Sequence, residues 1–328
     1  MPLSALLTAR RKAFRAAVFR FYRRHKRDLP WRRTRDPYRI LVSEIMLQQT
    51  RVAAVVDHYA RFMQRFPAVE ALASASEASV LAIWSGLGYY HRARRMHQAA
   101  KIIVRERRGQ FPRTAEAWRQ LPGVGRYTAA AIASIAFGEA VPVVDGNVER
   151  VLERLFQEGE KRESAWLRAE AVLDCIRPGD FNQAMMELGA TICTPRAPQC
   201  LICPLYKWCC SRGAAVLKPR PARKQQHLHY ALPIRGKSVR LIQRPRDARR
   251  MAGMWELPQA PVHPGEETLG HFRHSITDTD YDVSVVSAPP ALVNNLEGDA
   301  RWFTRQQWQK LPLTGLTRKI LRKLAPAT

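Results

Sequence analysis

The chain has 328 residues, 46% of them hydrophobic, and its 54 Lys and Arg residues outnumber 28 Asp and Glu residues to give a net charge of +26. The hydrophobic content excludes a mainly disordered chain, and the length exceeds what one core usually supports, so we expect two domains. The charge predicts a polyanionic partner, either a nucleic acid or an anionic membrane, with a merely soluble basic protein as the alternative.

The sequence also predicts a compartment. No apolar run approaches the roughly 20 residues that span a bilayer, and the opening residues Met1 to Leu7 are too short for the core of a signal peptide. We therefore expect the protein to remain in the cell interior.

Helical patterns fill the first two-thirds of the chain. The first 35 residues hold twelve basic residues and one acid, but apolar residues recur at helical spacing, which predicts a basic amphipathic helix ended by Pro30. Asp36 and Pro37 predict the start of a second helix, with a capping carboxylate and a proline at its first position, that runs to Gln49. Helical patterns separated by Gly and Pro continue to about Cys193, so this part is predicted to be all-α.

The pattern changes after residues 212–227, which contain five basic residues, two prolines and no acid. Such a composition builds no core and predicts an extended linker between residues 1–211 and residues 228–328. Short alternating runs then predict strands and a closing helix, which makes the last part a small α+β domain. The strands are predicted at 229–233, 238–242, 281–286 and 301–303, and the helix at 317–324.

Five of the six cysteines fall in one short segment, where Cys193, Cys200, Cys203 and Cys209 have the spacing C-x6-C-x2-C-x5-C. Four thiolates in a proline-stiffened loop can wrap a compact cluster, and in a reducing compartment they favour metal ligation over disulfides. A structural zinc usually takes two C-x2-C pairs and only one is present. The spacing therefore favours a 4Fe-4S cluster over zinc or over unligated cysteines, and leaves Cys210 spare.

A glycine-rich turn, Leu121-Pro122-Gly123-Val124-Gly125, lies between two helical stretches. Its glycines permit backbone angles that side chains forbid, and they leave amide groups exposed at the start of the next helix. Gly123, Val124 and Gly125 are therefore candidates to bind a phosphate. A plain helix-turn-helix corner with a glycine cap is the alternative.

Two carboxylates have contrasting surroundings in the sequence. Glu44 lies in an apolar stretch, which raises the pKa of a carboxyl group and lets it hold a proton near neutral pH, as a general acid must. Asp145 precedes a helix over 148–156, whose dipole favours the ionised carboxylate. The alternative for Glu44 is a solvated or salt-bridged glutamate, and the alternative for Asp145 is a simple helix cap. Together they provide the proton donor and the anion that glycosidic cleavage needs.

Taken together, these features resemble the helix-hairpin-helix base-excision DNA glycosylases with an iron-sulfur cluster, most closely the MutY type, which removes adenine opposite 8-oxoguanine. The resemblance covers most of residues 15–210 and implies a mainly α glycosylase domain at residues 1–211, with an iron-sulfur cluster loop at 193–210. The motifs that carry it are Leu29-Pro30-Trp31-Arg32, Ser43 to Thr50, Gly86-Leu87-Gly88-Tyr89-Tyr90, Leu121 to Thr128, Val144 to Asn147, Asn182 to Gly189 and the four cysteines.

The resemblance implies roles in the reaction. Glu44 resembles the general acid that protonates adenine at N7, and Asp145 resembles the carboxylate that stabilises the oxocarbenium sugar. Asn147 is similar to the residue that orients this carboxylate. Tyr127 occupies the position where lyase relatives such as endonuclease III carry a lysine nucleophile. Because a tyrosine forms no Schiff base, the resemblance implies a monofunctional glycosylase.

Substrate-binding residues are implied in the same way. The residues that resemble the family's adenine pocket are Trp31, Arg32, Leu47 and Glu187. Gln49 and Tyr89 resemble the wedge that fills the gap left by a flipped base. Residues 123–125 would grip DNA phosphates, and the loop with the 4Fe-4S cluster would position DNA without redox chemistry.

The C-terminal residues resemble, more weakly, the MutT-like, or Nudix-like, domain that follows the cluster in this family. The Glu-rich magnesium-binding pattern of working Nudix hydrolases does not follow Pro258, so nucleotide hydrolysis is not expected. Ile276, Thr277 and Asp278 stand where the family usually reads 8-oxoguanine with a Phe-Ser-His turn. Because Asp278 has no imidazole and its charge repels phosphate, we expect weaker discrimination of 8-oxoguanine from guanine.

The implied partner is double-stranded DNA with A:8-oxoG or A:G mismatches, bound by a monomer in the bacterial cytoplasm at the nucleoid. The first rival is a thymine glycosylase that acts on G:T mismatches, against which the Gln48-Gln49 pair and the C-terminal domain argue. The second is a non-catalytic iron-sulfur DNA-binding protein, which would need neither Glu44 nor Asp145. A basic protein of membranes or ribosomes would leave the cysteines unexplained.

Overall fold

The structure is a computed structural model that describes residues 10–156, 162–212, 222–248, 251–260, 268–276, 278–288 and 299–326. The chain divides into two compact units. The first comprises the described residues of Met1–Ala73 and Gln98–Pro219, and the second those of Ser74–His97 and Arg220–Thr328. Within the described ranges, no helix is long and apolar enough to cross a bilayer.

Helices account for the regular structure of the chain as far as residue 191, which confirms the helical prediction for this part. They are α1 (Arg11–His25), α2 (Pro37–Leu47), α3 (Val52–Arg65), α4 (Val69–Ser74), α5 (Glu77–Trp84), α6 (His91–Arg105), α7 (Ala115–Trp118), α8 (Arg126–Phe137), α9 (Gly146–Phe156), α10 (Arg162–Val172) and α11 (Pro178–Thr191). Helix α5 and the first residues of α6 belong to the second unit.

The first helices form close to where the sequence predicts them, although α1 ends at His25 and Pro30 begins a 3-10 helix. Helix α1 buries one apolar face that includes Phe14 and Val18, and four of its six Lys and Arg side chains are exposed. Asp36 caps α2 by accepting hydrogen bonds from the amide groups of the next turn at 2.8 and 3.3 Å. Helix α2 ends at Leu47, two residues earlier than predicted, because Gln48 leaves the helical conformation with ψ of 113°, and Gln49 follows with φ of +55°.

Helix α11 lies at the centre of the first core and contacts α1, α8 and α9. Two glycines allow these close approaches. A Cβ atom at Gly179 would meet the carbonyl oxygen of Ser134 on α8 at 2.6 Å, and one at Gly189 would meet Asn147 on α9 at 2.7 Å. The cysteine loop joins the same core through Trp208, whose ring packs edge-on against Phe14 with 5.6 Å between centroids.

The second unit contains two small sheets. Strands β1 (Lys224–Leu232), β5 (Thr268–Ile276) and β6 (Thr279–Ser287) form one sheet in the order β1-β6-β5, with β1 parallel and β5 antiparallel to β6. Strands β2 (Ile234–Arg235), β3 (Ser238–Gln243), β4 (Trp255–Glu256) and β7 (Ala300–Thr304) form the other, in which β3 pairs with the remaining three. Helices α12 (Arg305–Trp308) and α13 (Gly315–Leu324) follow.

Both sheets and α13 share one core, which includes Leu232, Leu241, Val283 and Ile320. This arrangement confirms the prediction of an α+β domain. Strand β1 extends further toward the N-terminus than predicted, because residues 224–227 pair with β6 although their side chains are exposed. The sequence predicts a linker over these four residues, which is wrong, and residues 213–221 of the predicted linker lie outside the described ranges.

Replacement of Gly179 by Ala tests the close approach of α11 to α8. The added methyl group meets backbone atoms at 2.6 and 2.8 Å, which cannot move as a side chain can, so we expect a loss of about 1 to 3 kcal/mol in the free energy of unfolding. Denaturant unfolding measures it. Gly146→Ala is the control, because a Cβ atom there meets nothing within 4 Å. Equal stability of the two variants would contradict the packing argument.

Candidate active site

A cavity of about 570 Å³ opens in the first unit beside helices α2, α8, α9 and α11 and the 3-10 helix Pro30–Arg32. The residues predicted for catalysis and adenine binding come from separate stretches of the chain. The cavity is lined by Trp31, Arg32, Glu44, Leu47, Gln49, Tyr127, Asp145, Asn147 and Glu187. The fold therefore brings these side chains together, whereas the predicted wedge residue Tyr89 belongs to the second unit.

Glu44 is a buried carboxyl group in this cavity. It lies on α2 and is 5% exposed. Burial raises the pKa of Glu44 to about 7; a hydrogen bond from Tyr127 opposes the rise, and the negative charge of Asp145 adds to it. The carboxyl group is therefore protonated in a large fraction of molecules near neutral pH, as its apolar sequence context predicts.

Tyr127 connects α8 to this carboxyl group. Its hydroxyl donates a hydrogen bond to Oε2 of Glu44 at 2.7 Å and lies 3.5 Å from Sδ of Met186. Burial, followed by the negative charges of Glu44 and Asp145, raises the pKa of Tyr127 well above its usual value. The phenol therefore stays protonated and donates a hydrogen bond to Glu44.

Asp145 caps α9. Its Oδ1 accepts hydrogen bonds from the amide groups of Asn147 and Val148 at 2.9 and 2.7 Å, and its Oδ2 accepts one from Nδ2 of Asn147 at 2.8 Å. Both oxygens are thus held in place, and the N-terminus of the helix favours their negative charge. The capping alternative is correct as local structure, and it leaves Asp145 on the wall of the cavity.

Arg150 extends this hydrogen-bonded network, although the sequence does not single it out. Its Nη2 donates to Oδ1 of Asn147 at 2.8 Å and to the carbonyl group of Gly189 at 2.7 Å, and its Nε donates to the carbonyl group of Cys193 at 2.8 Å. One guanidinium therefore joins α9, the end of α11 and the first cysteine. The three-residue spacing from Asn147 is the available sequence signal, and it is common on solvated helices.

Glu187 on α11 is a second buried carboxyl group, with a side chain that is 0% exposed. Nε and Nη2 of Arg27 donate to its two oxygens at 2.8 and 2.7 Å, and Nη2 of Arg32 donates to Oε2 at 2.7 Å. Burial by itself raises the pKa of Glu187, but the hydrogen bonds from Arg27 and Arg32 outweigh it and lower the value to about 2. Sequence reasoning missed Arg27, which nothing distinguishes from the other basic residues near the N-terminus.

The two predicted wedge residues share an unusual backbone conformation. Gln49 has φ of +55° and lines the cavity of the first unit, directly after α2. Tyr89, between α5 and α6 in the second unit, has φ of +49°. This left-handed region is costly for residues other than glycine, and such strain is concentrated at functional sites.

Trp31 is fixed by aromatic packing. It is 7% exposed, and its ring stands edge-on to Tyr59 with 5.3 Å between centroids. Such an edge-to-face pair adds directional preference to the burial of apolar surface. The ring therefore forms a rigid apolar part of the cavity wall.

The glycine turn connects α7 to α8. Gly123 has φ of +81°, which a residue with a side chain rarely adopts, and Gly125 is the residue that precedes α8. Gly125 offers no side chain to cap the first amide groups of α8. The turn therefore presents a helix N-terminus to an external acceptor, the geometry on which its predicted phosphate binding depends.

The four cysteines of the predicted cluster line one small cavity of the first unit. Nη1 of Arg154 lies 3.3 Å from Sγ of Cys193, and Sγ of Cys209 lies 3.3 Å from the carbonyl oxygen of Arg154. Among the described residues, no group of three or more His, Cys, Asp or Glu side chains has the compact arrangement that would hold one metal ion. Cys210 is not among the lining residues of this cavity.

The predicted lesion-reading residues lie at the hairpin between β5 and β6, except that Thr277 is outside the described ranges. Ile276 lines a second cavity of about 570 Å³ together with Tyr89 and His274. Asp278 is not among its lining residues. Its carboxylate accepts a hydrogen bond from Thr279 at 3.1 Å.

Comparison with known proteins agrees with this geometry. Residues 42–173 match the HhH-GPD superfamily of base excision DNA repair proteins. The chain is 41% identical to the adenine DNA glycosylase of Mus musculus, in an alignment that covers 94% of this chain and 77% of the relative. It is 35% identical to the adenine DNA glycosylase of Homo sapiens, with 94% and 73% covered.

A solved structure of a thermostable thymine-DNA glycosylase is also similar, with a TM-score of 0.58 and 32% identity. That alignment covers 96% of the other chain but 62% of this one. The alignments with the mouse and human proteins cover 94% of this chain, so they extend over most of the second unit.

The helical fold, the paired carboxyl groups in one cavity and the superfamily match define a DNA N-glycosylase of base excision repair. Within that class, the chain belongs to the adenine DNA glycosylase family, as the extent of the alignments with the mouse and human relatives shows.

The buried carboxyl group of Glu44 is expected to make stability depend on pH. Its pKa of about 7 in the folded chain lies above the ordinary value of 4.5, so the folded state binds more protons. The contribution to stability is fully present below about pH 4.5 and is lost as the pH rises through 7. At 1.36 kcal/mol per pKa unit, the loss approaches roughly 3 kcal/mol.

Denaturant unfolding at about pH 5 and about pH 8 measures this effect, with Glu44→Gln as the test variant. The wild-type protein should lose stability relative to Glu44→Gln over this interval. Replacement of the exposed Glu106 by Gln is the control and should follow the wild type. Parallel curves for wild type and Glu44→Gln would contradict the raised pKa.

Proposed function

We propose that the protein hydrolyses the N-glycosidic bond of adenine mispaired with 8-oxoguanine or guanine in duplex DNA, without cleaving the strand. The observation that carries this proposal is the pairing of Glu44, buried and protonated near neutral pH, with the helix-capping carboxylate Asp145 in one cavity. The apolar and polar walls of the cavity suit a flipped base, because an enzyme cannot reach the glycosidic bond of a base that is stacked inside the duplex.

Glu44 acts in this proposal as the general acid. Adenine is a poor leaving group as an anion, and a proton on its N7 lets it leave as a neutral base. A pKa of about 7 keeps a proton on Glu44 in a large fraction of molecules near neutral pH. The Tyr127 hydroxyl, 2.7 Å from Oε2, then stabilises the carboxylate that remains after proton transfer.

Asp145 stabilises the positive charge that develops on the sugar. Its oxygens are fixed by Asn147 and by the first amide groups of α9, so the anion needs little reorganisation when the oxocarbenium character appears. Water then adds its oxygen to C1′ and loses one proton, and Glu44 regains a proton through solvent, so that the net reaction adds H to adenine and OH to the sugar. Arg150 acts as a positioning residue through Asn147.

The pocket for adenine is assigned to Trp31, Arg32, Leu47 and Glu187. Trp31 offers a fixed apolar ring, and Arg32 with Glu187 offers a paired donor and acceptor. Arg27 completes this ion pair and keeps Glu187 ionised. These charged groups are already paired with one another, so they offer a base a donor and an acceptor in fixed positions.

Base flipping and the binding of DNA phosphates are assigned to three parts of the chain. Gln49 borders the cavity and would fill the gap in the duplex, and Tyr89 would act from the second unit. Residues 123–125 would bind phosphate oxygens through amide groups at the start of α8. The strained backbone at Gln49 and Tyr89 supports a functional assignment for both.

A 4Fe-4S cluster is proposed for Cys193, Cys200, Cys203 and Cys209. All four line one cavity, and their spacing contains one C-x2-C pair, where a structural zinc usually takes two. The cluster would supply structural cross-linking of the loop. Arg150 donates hydrogen bonds to the carbonyl group of Cys193 and to Asn147. A displacement of the loop would therefore also displace Asn147.

The second unit is proposed as a MutT-like domain that reads the base opposite adenine. Its mixed β1-β6-β5 sheet and closing helix support that resemblance. Contacts with 8-oxoguanine are assigned to the cavity lined by Tyr89, His274 and Ile276. Ile276 is retained as a lesion contact, and the weaker discrimination expected from Asp278 remains a prediction. We further propose that the protein acts as a monomer on DNA in the bacterial cytoplasm.

End-labelled duplexes with A:8-oxoG, A:G, T:G and undamaged pairs test the activity. We expect alkali-revealed cleavage at adenine, and a 10²- to 10⁴-fold lower rate for Glu44→Gln, the roughly expected contribution of a general acid. Glu106→Gln serves as the matched control on an exposed glutamate. Cleavage at thymine, or tight binding without cleavage, would overturn the assignment. A ratio of A:8-oxoG to A:G rates near one would support the effect of Asp278.

Tyr127→Lys tests why the enzyme leaves the strand intact. The wild-type protein should give no covalent adduct with DNA under borohydride, because a phenol forms no Schiff base. A lysine at this position faces the same cavity, so we expect a trapped adduct on denaturing gels. Tyr127→Phe, which also removes the hydroxyl, is the control and should give none. A wild-type adduct of similar abundance would contradict the monofunctional mechanism.

A further inference from the structure

The exposed side of α1 carries a concentration of positive charge that the reaction does not use. Lys12, Arg20, Arg23 and Arg24 are exposed, and α1 contains no acidic residue. At 3.6 residues per turn these four side chains fall within an arc of about 120°. We name this surface, defined by those four residues, the α1 basic face.

The α1 basic face is rigidly held. The opposite side of the helix is buried through Phe14, Val18 and Phe21, so the four charges keep fixed positions along about 18 Å of helix. At its start, Phe14 contacts Trp208 of the cysteine loop. Just after its end, Arg27 binds Glu187 in the active-site cavity. Helix α1 therefore lies between a residue that packs on the cysteine loop and a residue that lines the active-site cavity, and the α1 basic face is the exposed side of this helix.

The charges on this face are not neutralised within the described part of the chain. None of the ion pairs or side-chain hydrogen bonds found there involves the side chains of Lys12, Arg20, Arg23 or Arg24. Arg20 has like-charged neighbours three and four residues later, a spacing that destabilises an isolated helix. An external polyanion would relieve this repulsion.

We propose that the α1 basic face is a second, sequence-independent contact for the phosphate backbone of duplex DNA, separate from the cavity and the glycine turn. The small side chains of Ala13 and Ala16 lie within the same arc and allow a close approach. A duplex carries one charge per roughly 1.7 Å of its axis, so a face about 18 Å long spans several phosphates. The contact would hold the enzyme on undamaged DNA between excision events.

The test compares wild type with the triple variant Arg20→Gln, Arg23→Gln, Arg24→Gln. Fluorescence anisotropy with an undamaged duplex is measured over a series of KCl concentrations. Three lost phosphate contacts should lower the slope of log Kd against log salt by up to about 2.7, and should weaken binding at low salt by roughly 10-fold or more. The single-turnover rate of adenine excision at saturating enzyme should stay within about twofold, because DNA is then fully bound.

Two further variants make the result specific. Arg235→Gln, Lys237→Gln, Arg322→Gln removes the same charge from exposed positions of the second unit and should leave most of the salt slope in place. Arg20→Lys, Arg23→Lys, Arg24→Lys keeps the charge and should bind as the wild type does. Equal losses in the two glutamine variants would overturn the proposal, since net charge alone would then explain the binding.

Other outcomes also decide the matter. A large fall in the single-turnover rate of the α1 variant would overturn the separation from the catalytic complex. Loss of binding to phosphatidylserine vesicles with unchanged duplex binding would overturn the proposal in favour of a membrane contact. Failure of the wild type to excise adenine would overturn the proposed function alone, because the salt slope on undamaged DNA is measured independently of excision.

Discussion

The chemistry of this protein depends on keeping one carboxyl group out of water. Glu44 is enclosed by α2 and its neighbours, and burial disfavours its charged form enough to bring the pKa to about 7. A hydrogen bond from Tyr127 keeps this side chain satisfied when its proton has left. The packing of α8 against α2 is therefore part of the acid catalyst, because it sets both the dielectric surroundings and the donor.

A second glutamate in the same cavity shows how local partners reverse this effect. Glu187 is as thoroughly buried, yet two guanidinium groups hold it ionised with a pKa of about 2. A buried carboxyl group stays ionised where it is paired and hydrogen-bonded. Where it lacks such partners, its pKa rises and the neutral form is favoured. One cavity thus contains a carboxyl group able to donate a proton and a carboxylate fixed as an acceptor.

Helix α9 organises the remaining catalytic group. Asp145, Asn147 and Arg150 occupy its first turns, and their hydrogen bonds reach α11 and the backbone of Cys193. The sequence predicts the cap at Asp145, because capping needs a carboxylate beside a local helix start. It does not predict the contacts of Arg150 or Arg27, because their main partners are distant in the chain. No pattern of neighbouring residues shows which distant group an arginine will bind.

The sequence by itself determined the local features: the amphipathic face of α1, the capped start of α2, the glycine turn, the cysteine spacing and the two contrasting carboxylates. Each follows from interactions among residues close in the chain. The tertiary structure alone decided which side chains meet. The contact of Tyr127 with Glu44, the ion pairs of Glu187, the grouping of residues 74–97 with the C-terminal unit and strand β5 all depend on packing between distant segments.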